Sequence, residues 1–100
     1  MIGKLKGLVE LIGESTIILD VNGVGYEVYL SAKALRSLSV GETASIIIET
    51  HVREDAIRLY GFLSEVDRSW FRLLQTVQGV GSKVALGILG VLSPQELSSS

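Results

Sequence analysis

The spacing of apolar residues changes its period once along the chain, near Leu63, and that change dictates a fold in two parts. Before it, Val24, Tyr26, Val28 and Leu30 alternate with Gly25, Glu27 and Tyr29, the period of two that marks a strand with one buried face. After it, Val66, Trp70, Leu73, Leu74 and Val77 fall along one face of a helix. With 47% apolar and 20% charged residues in 100, the chain has the composition of a globular protein, which excludes disorder and collagen-like repeats. The absence of cysteine excludes a disulfide framework and thiolate zinc sites, and a single histidine, His51, excludes a histidine-rich metal site within one chain. No apolar run is long enough for a membrane helix and the N-terminus lacks a signal-peptide core, so the expectation is a cytoplasmic protein without membrane contact.

Five strand candidates fill the first part. Ile2–Leu11 carries Gly3 and Gly7, positions where a barrel bends sharply. Thr16–Val21 is followed by Asn22-Gly23, the strongest short-range signal for a two-residue hairpin, because both residues tolerate positive φ. The alternating strand beginning at Val24 comes third. Ser31 then caps a short helix through Leu38, with Gly41 closing the segment. Ala44–Val52 and Ile57–Phe62 are the fourth and fifth strands, separated by the polar break Arg53-Glu54-Asp55-Ala56. Three strands, a short helix and two strands match the order of a five-stranded OB-fold barrel; an SH3-like barrel places its helical turn later.

The second part is all-α, a helix-hairpin-helix segment. Ser64 and Asp67 form a capping box, Gly79 and Gly81 interrupt, and Ser82 caps a second helix continued by Val84, Leu86 and Ile88. Ser93-Pro94-Gln95-Glu96 is a third helix start with only four residues after it, too few for a helix stable in water. The expectation is therefore a truncated segment, least ordered after Gly90, with apolar surface exposed around Leu86, Ile88, Leu89 and Leu92.

Two turns carry candidate chemistry. In Gly79-Val80-Gly81-Ser82-Lys83, two glycines let the backbone turn tightly and lead successive N–H groups into a helix start, an arrangement suited to one phosphate, with Lys83 adding a mobile positive charge. The competing reading is an ordinary helix C-terminal glycine followed by the next helix. In Arg53-Glu54-Asp55, adjacent carboxylates at a hairpin tip read first as a solvated loop; a Mg²⁺ site there has no other support in the sequence. His51 reads as structural or surface, and Trp70 as core. Tyr26 and Tyr29 fall on opposite strand faces and so form no shared stacking surface. There is no nucleophile elbow and no phosphate loop of the Gly-x-x-x-x-Gly-Lys-Ser/Thr type, so neither catalysis, a metal nor a cofactor is expected.

Met1-Ile2-Gly3, Gly23-Val24-Gly25-Tyr26-Glu27-Val28, Val52-Arg53-Glu54-Asp55-Ala56, Leu59-Tyr60-Gly61-Phe62 and Gly79-Val80-Gly81-Ser82-Lys83, in that order and spacing, resemble the N-terminal half of the RuvA family, which binds Holliday junctions and recruits the RuvB motor. The resemblance implies an OB-fold domain I over residues 1–62 and, over 63–100, the first helix-hairpin-helix of an incomplete domain II. It further implies that the family's third, motor-binding domain is absent from this chain. It implies a homotetramer in which Glu54 and Asp55 form an acidic pin at the junction centre, steering strands by repulsion of phosphates, with Arg53 beside it. Gly79, Val80, Gly81, Ser82 and Lys83 would grip duplex backbone. Many relatives have proline at the position of Ser82, where serine would keep the capping role. The implied role is DNA repair and recombination, as a non-catalytic subunit whose partners are junction DNA, RuvB, which hydrolyses ATP, and the RuvC resolvase.

Net charge is −2, with six basic and eight acidic residues in 1–62 and three of each in 63–100, so a DNA site must come from local arrangement or from several subunits together. Two rival readings remain open on sequence grounds: an oligomerising OB-fold scaffold that no longer holds DNA, and a metal-dependent nuclease using Glu54 and Asp55.

Overall fold

The structure, a computed structural model, describes residues 2–91. Five strands, β1 (Lys4–Ile12), β2 (Thr16–Val21), β3 (Val24–Tyr29), β4 (Thr43–Arg53) and β5 (Ala56–Phe62), close into a barrel in the order β1-β2-β3-β5-β4, consistent with an OB fold. All neighbours are antiparallel except β3 and β5, which pair in parallel over only Val28↔Leu59 and Tyr29↔Tyr60. The short helix α1 (Ala32–Ser37) lies between β3 and β4 in sequence, and α2 (Glu65–Gln75) and α3 (Ser82–Val91) follow the barrel. The expected helix start at Ser93-Pro94-Gln95-Glu96 lies outside the described residues.

Local chemistry accounts for the element boundaries. Asn22 (φ 53°) and Gly23 (φ 88°) take the left-handed conformation that a tight hairpin needs, and the Gly23 amide donates to Asp20 Oδ1 at 2.9 Å. The Ser31 hydroxyl accepts from the Ala34 amide at 3.2 Å, and that of Ser64 accepts from the Asp67 amide at 3.2 Å, so both expected helix caps form. Gly7 is required by proximity, because a side chain there would collide with the Asp20 carbonyl on the neighbouring strand. Gly61 points into the barrel, where a Cβ would meet Ile46, Val28 and Leu30 side chains at 2.6–2.7 Å.

Two apolar cores follow from strand alternation. Inside the barrel, Val9, Ile17, Leu19, Val28, Ile46 and Ile48 are fully buried, and Ala34 and Leu35 of α1 pack against them with Leu38 just beyond its end. The opposite faces of β4 and β5 carry a second core, in which Tyr60 and Phe62 meet Phe71, Ala85, Leu86 and Leu89. Ring centroids lie 5.2 Å apart for Tyr60–Phe71, 4.9 Å for Phe62–Phe71 and 4.9 Å for His51–Tyr60, all tilted, the geometry that aromatic quadrupoles favour. Arg72 of α2 adds a 2.7 Å ion pair to Glu49 of β4, and that hydrogen-bonded carboxylate raises the Arg72 pKa.

Three expectations are corrected by this packing. The buried face of α2 is centred on Phe71, which is completely buried, whereas Val66, Leu73 and Val77 are more than half exposed and Trp70 is half-buried. The apolar spacing of α2 therefore marks in part a surface stripe, while Trp70, as expected, packs against the second core from its margin. The expected exposed patch at the chain end is absent for Leu86 and Leu89, which are buried in the second core, and Ile88 is half-buried; Leu92 lies outside the described residues. Ser82 is not a free cap. The first intrahelical bond of α3 runs from the Ala85 amide to the Gly81 carbonyl at 2.9 Å, so Gly81 occupies the capping position and Ser82 is the first helical residue.

The Ser82 side chain turns inward instead and is 8% exposed. Its hydroxyl lies 2.8 Å from Gln75 Oε1 and 3.0 Å from His51 Nδ1. Gln75 Nε2 donates to the Phe71 carbonyl at 3.4 Å, which leaves Oε1 as an acceptor. Ser82 therefore donates to Gln75 and accepts from His51, whose Nδ1 carries the hydrogen. One buried hydroxyl thus joins barrel, α2 and α3 at the base of the glycine turn.

Gly61→Ala is expected to destabilise the chain by about 1–3 kcal/mol through overpacking of the barrel interior, measured by urea denaturation. In the same assay His51→Ala and Ser82→Ala should each cost about 1–3 kcal/mol, with a coupling of at least about 0.5 kcal/mol in the double mutant. Strict additivity would show that the two side chains do not communicate.

Candidate nucleic-acid interface

The glycine turn is built by the end of one helix and the beginning of the next. α2 stops at Thr76, whose hydroxyl donates to the Leu73 carbonyl at 2.6 Å, and the Val77 amide donates to Leu74 at 3.2 Å. The Val80 amide then closes a tight turn on the Val77 carbonyl at 3.1 Å, and Gly79 takes φ 89° within it, a conformation that favours glycine. Beyond Val80, the amides of Gly81, Ser82 and Lys83 donate to no turn or cap acceptor among the described residues. They are the orphan donors of a helix start, and they carry the positive end of the α3 dipole.

Gly81 differs from Gly79 in a telling way. Its φ is not positive, and a Cβ built on it would have nothing within 4 Å. Neither backbone strain nor internal packing of the described residues requires glycine there. The open space matters only to something approaching from outside. Lys83 is exposed in the first turn of α3, beside these amides, whereas the Ser82 side chain faces His51 and presents only its backbone outward.

The acidic turn is a separate feature. Glu54 and Asp55 form the two-residue tip of the β4–β5 hairpin, with Arg53 and Ala56 paired at its base, and all four are exposed. Val52 and Ile57, the next pair down the ladder, are 66% and 69% exposed, so this hairpin end projects beyond the core. Among the described residues no group of three His, Cys, Asp or Glu side chains is placed to hold a metal ion. The structure does not gather the acidic turn and the glycine turn into one pocket.

Electrostatically, pairing is sparse. Only Arg68, with Glu65 at 2.7 Å, and Arg72, with Glu49, form ion pairs among the described residues. The other seven of the nine basic side chains, Arg53, Arg58 and Lys83 among them, have no carboxylate partner there. A net charge of −2 therefore coexists with cations available to an external anion. No helix among the described residues is long and apolar enough to cross a membrane.

Two positions of interest escape sequence reading. Gln75 looks like a routine helix-surface residue, seven positions from Ser82, and only the packed turn brings it to the serine hydroxyl. Arg58 reads as an ordinary polar residue of β5, yet its guanidinium lies 5.7 Å from the Tyr29 ring centroid.

Comparison with known proteins fits this arrangement. The family described as RuvA N terminal domain matches residues 1–61, the whole barrel but its last residue. The chain is 63% identical over 101 aligned residues to the Holliday junction branch migration complex subunit RuvA of Methylobacterium radiotolerans and to that of Methylobacterium nodulans, and 60% identical to that of a Bradyrhizobium species. Each alignment covers 100% of this chain and 49% of the relative, so the chain spans about half the length of the curated relatives it matches. The match of the family to more than half of the chain, on a closed five-stranded barrel, establishes that the chain belongs to the RuvA N-terminal domain family.

Proposed function

We propose that this chain binds four-way DNA junctions as a homotetramer and acts in recombination and repair as the non-catalytic part of a branch-migration complex. The observation that carries the reading is the glycine turn: three consecutive unpaired amides, an exposed Lys83, and an open flank at Gly81 that nothing in the described fold requires. Such a site positions a phosphate without reading bases, which suits a protein that recognises DNA shape. The naming of the relatives as Holliday junction branch migration complex subunits supports the same conclusion.

In this reading residues 1–62 are an OB-fold domain I and 63–100 begin a domain II with one helix-hairpin-helix. Four copies would bring the exposed Glu54-Asp55 tips together as an acidic pin. Carboxylates at the crossing point repel phosphates, keep the centre open and direct each strand outward into a new duplex, while Arg53 at the base of the turn holds a nearby phosphate. The RuvB motor, which supplies ATP hydrolysis, and the RuvC resolvase are partners of the assembled complex, and its place is the cytoplasm. The α2 stripe of Val66, Trp70, Leu73 and Val77 gives the tetramer an apolar contact surface. That stripe also favours the second reading, an oligomerising scaffold that does not hold DNA by itself.

Anisotropy titration of a fluorescent four-way junction and a duplex of equal length separates the two. Lys83→Ala should weaken both, lowering the slope of log K against log salt by about 0.9 for each phosphate that is no longer neutralised. Gly81→Asp should leave stability unchanged or raise it by about 0.5 kcal/mol, since aspartate caps helices well, yet abolish DNA binding by placing a carboxylate on the anion site. A tetramer in light scattering that binds neither DNA selects the scaffold. Glu54→Gln with Asp55→Asn should alter junction affinity and branch migration in the complete complex; no change in either removes the pin. Junction cleavage dependent on Mg²⁺ would instead establish the nuclease.

A further inference from the structure

A groove of about 430 Å³ runs between the barrel and α3, with Arg58 on one wall and Lys83 on the other. Tyr29, Tyr60 and Ser31 also line it, and the one acidic residue on it is the exposed Glu14. We infer that this groove is a second DNA-backbone site, in which Arg58 and Lys83 clasp a phosphodiester from opposite sides. The inference rests on the DNA reading above and assigns Arg58 a place in it.

Three observations support it. First, Arg58 is held without being neutralised. Its guanidinium lies over the Tyr29 ring, and Tyr29 is fixed in turn against Tyr60 with centroids 5.6 Å apart. An aromatic face restrains the plane of a guanidinium; the neighbouring Tyr60 hydroxyl shares the Arg58 fork, and its remaining N–H groups can meet a phosphate. Second, neither Arg58 nor Lys83 has a carboxylate partner among the described residues, so no existing ion pair must break. Third, Arg58 stands on β5, the strand that leaves the acidic tip, and Lys83 in the first turn after the glycine turn, so the groove joins the two elements that carry the candidate turns. Two cations against one carboxylate leave it net positive, which favours a phosphodiester over a neutral or cationic ligand.

The test is the junction and duplex titration repeated with Arg58→Gln, Arg58→Lys and Glu14→Gln on the whole chain, over a range of salt. Arg58→Gln should weaken both DNAs about 5- to 10-fold and lower the salt slope by about 0.9 for each copy engaged. Arg58→Lys should restore the slope and only part of the affinity, because a point charge replaces the fork. Glu14→Gln should strengthen binding about 2- to 5-fold, an opposite-signed result that a folding defect cannot produce. Inorganic pyrophosphate titrated against the same DNA complexes should compete only weakly; full displacement at low concentration would identify a free polyphosphate site and overturn the assignment to DNA. If Arg58→Gln and Glu14→Gln leave binding unchanged while Lys83→Ala weakens it, the groove is no DNA site and the hairpin reading stands. If the unsubstituted chain binds neither DNA, both fall.

Discussion

The attachment of the two helices to the barrel depends on a single aromatic side chain. Phe71 is completely buried between Phe62, Tyr60 and His51, and it anchors α2, the helix that leads into the glycine turn, on the barrel. Apolar and aromatic contact supplies most of the attraction, and the Ser82 hydroxyl supplies direction, because it must satisfy Gln75 and His51 together. Contact without hydrogen bonds would leave the helix pair free to rotate on an oily surface. Hydrogen bonds without the aromatic contact would face water and contribute little. Together they hold the amides of Gly81, Ser82 and Lys83 in a fixed relation to β5.

This division of labour shows how an acidic chain can present cations and amide dipoles to an external anion. Binding to a polyanion depends on which cations face it, not on their sum. Here many of the carboxylates lie at the hairpin tip, on strand surfaces and in two ion pairs, while the glycine turn has no acidic residue within it. The backbone amides add positive potential that no count of side chains records.

Much of the barrel was legible because local signals and the global fold agree. Asn22-Gly23 announced its hairpin, Ser31 and Ser64 their helices, and the alternation from Val24 to Leu30 its buried face, with Tyr26 toward the barrel core and Tyr29 toward the second core. The glycine turn and the acidic turn were legible as turns for the same reason. The face of α2 was not: Val66, Trp70, Leu73 and Val77 have helical spacing, but periodicity reveals an apolar face without naming what covers it. Phe71 sits toward the other side of the helix with Leu74 between it and the stripe, and the aromatic faces of Tyr60 and Phe62 decide which side is buried. Ser82 misled because serine at a helix start normally caps it, and only the arrival of His51 from a strand 31 residues away gives the hydroxyl a better use. Long-range partners of this kind leave no trace in local pattern.

The narrow parallel seam between β3 and β5 has a consequence for energetics. The β1–β3 meander and the β4–β5 hairpin are joined along two lines: a longer antiparallel one between β1 and β4, and this seam of two residue pairs. The shorter line is the natural place for local opening, since the fewest backbone pairs must separate there. Tyr29 lies on one side of it and Arg58 on the other, with Lys83 across the groove. The Arg58–Tyr29 contact crosses the seam, so a phosphate seated between Arg58 and Lys83 would favour the closed form, in which Tyr29 holds Arg58 in place. By linkage, whatever free energy that contact contributes to association also suppresses opening of the barrel, so ligand occupancy and barrel closure form one coupled equilibrium.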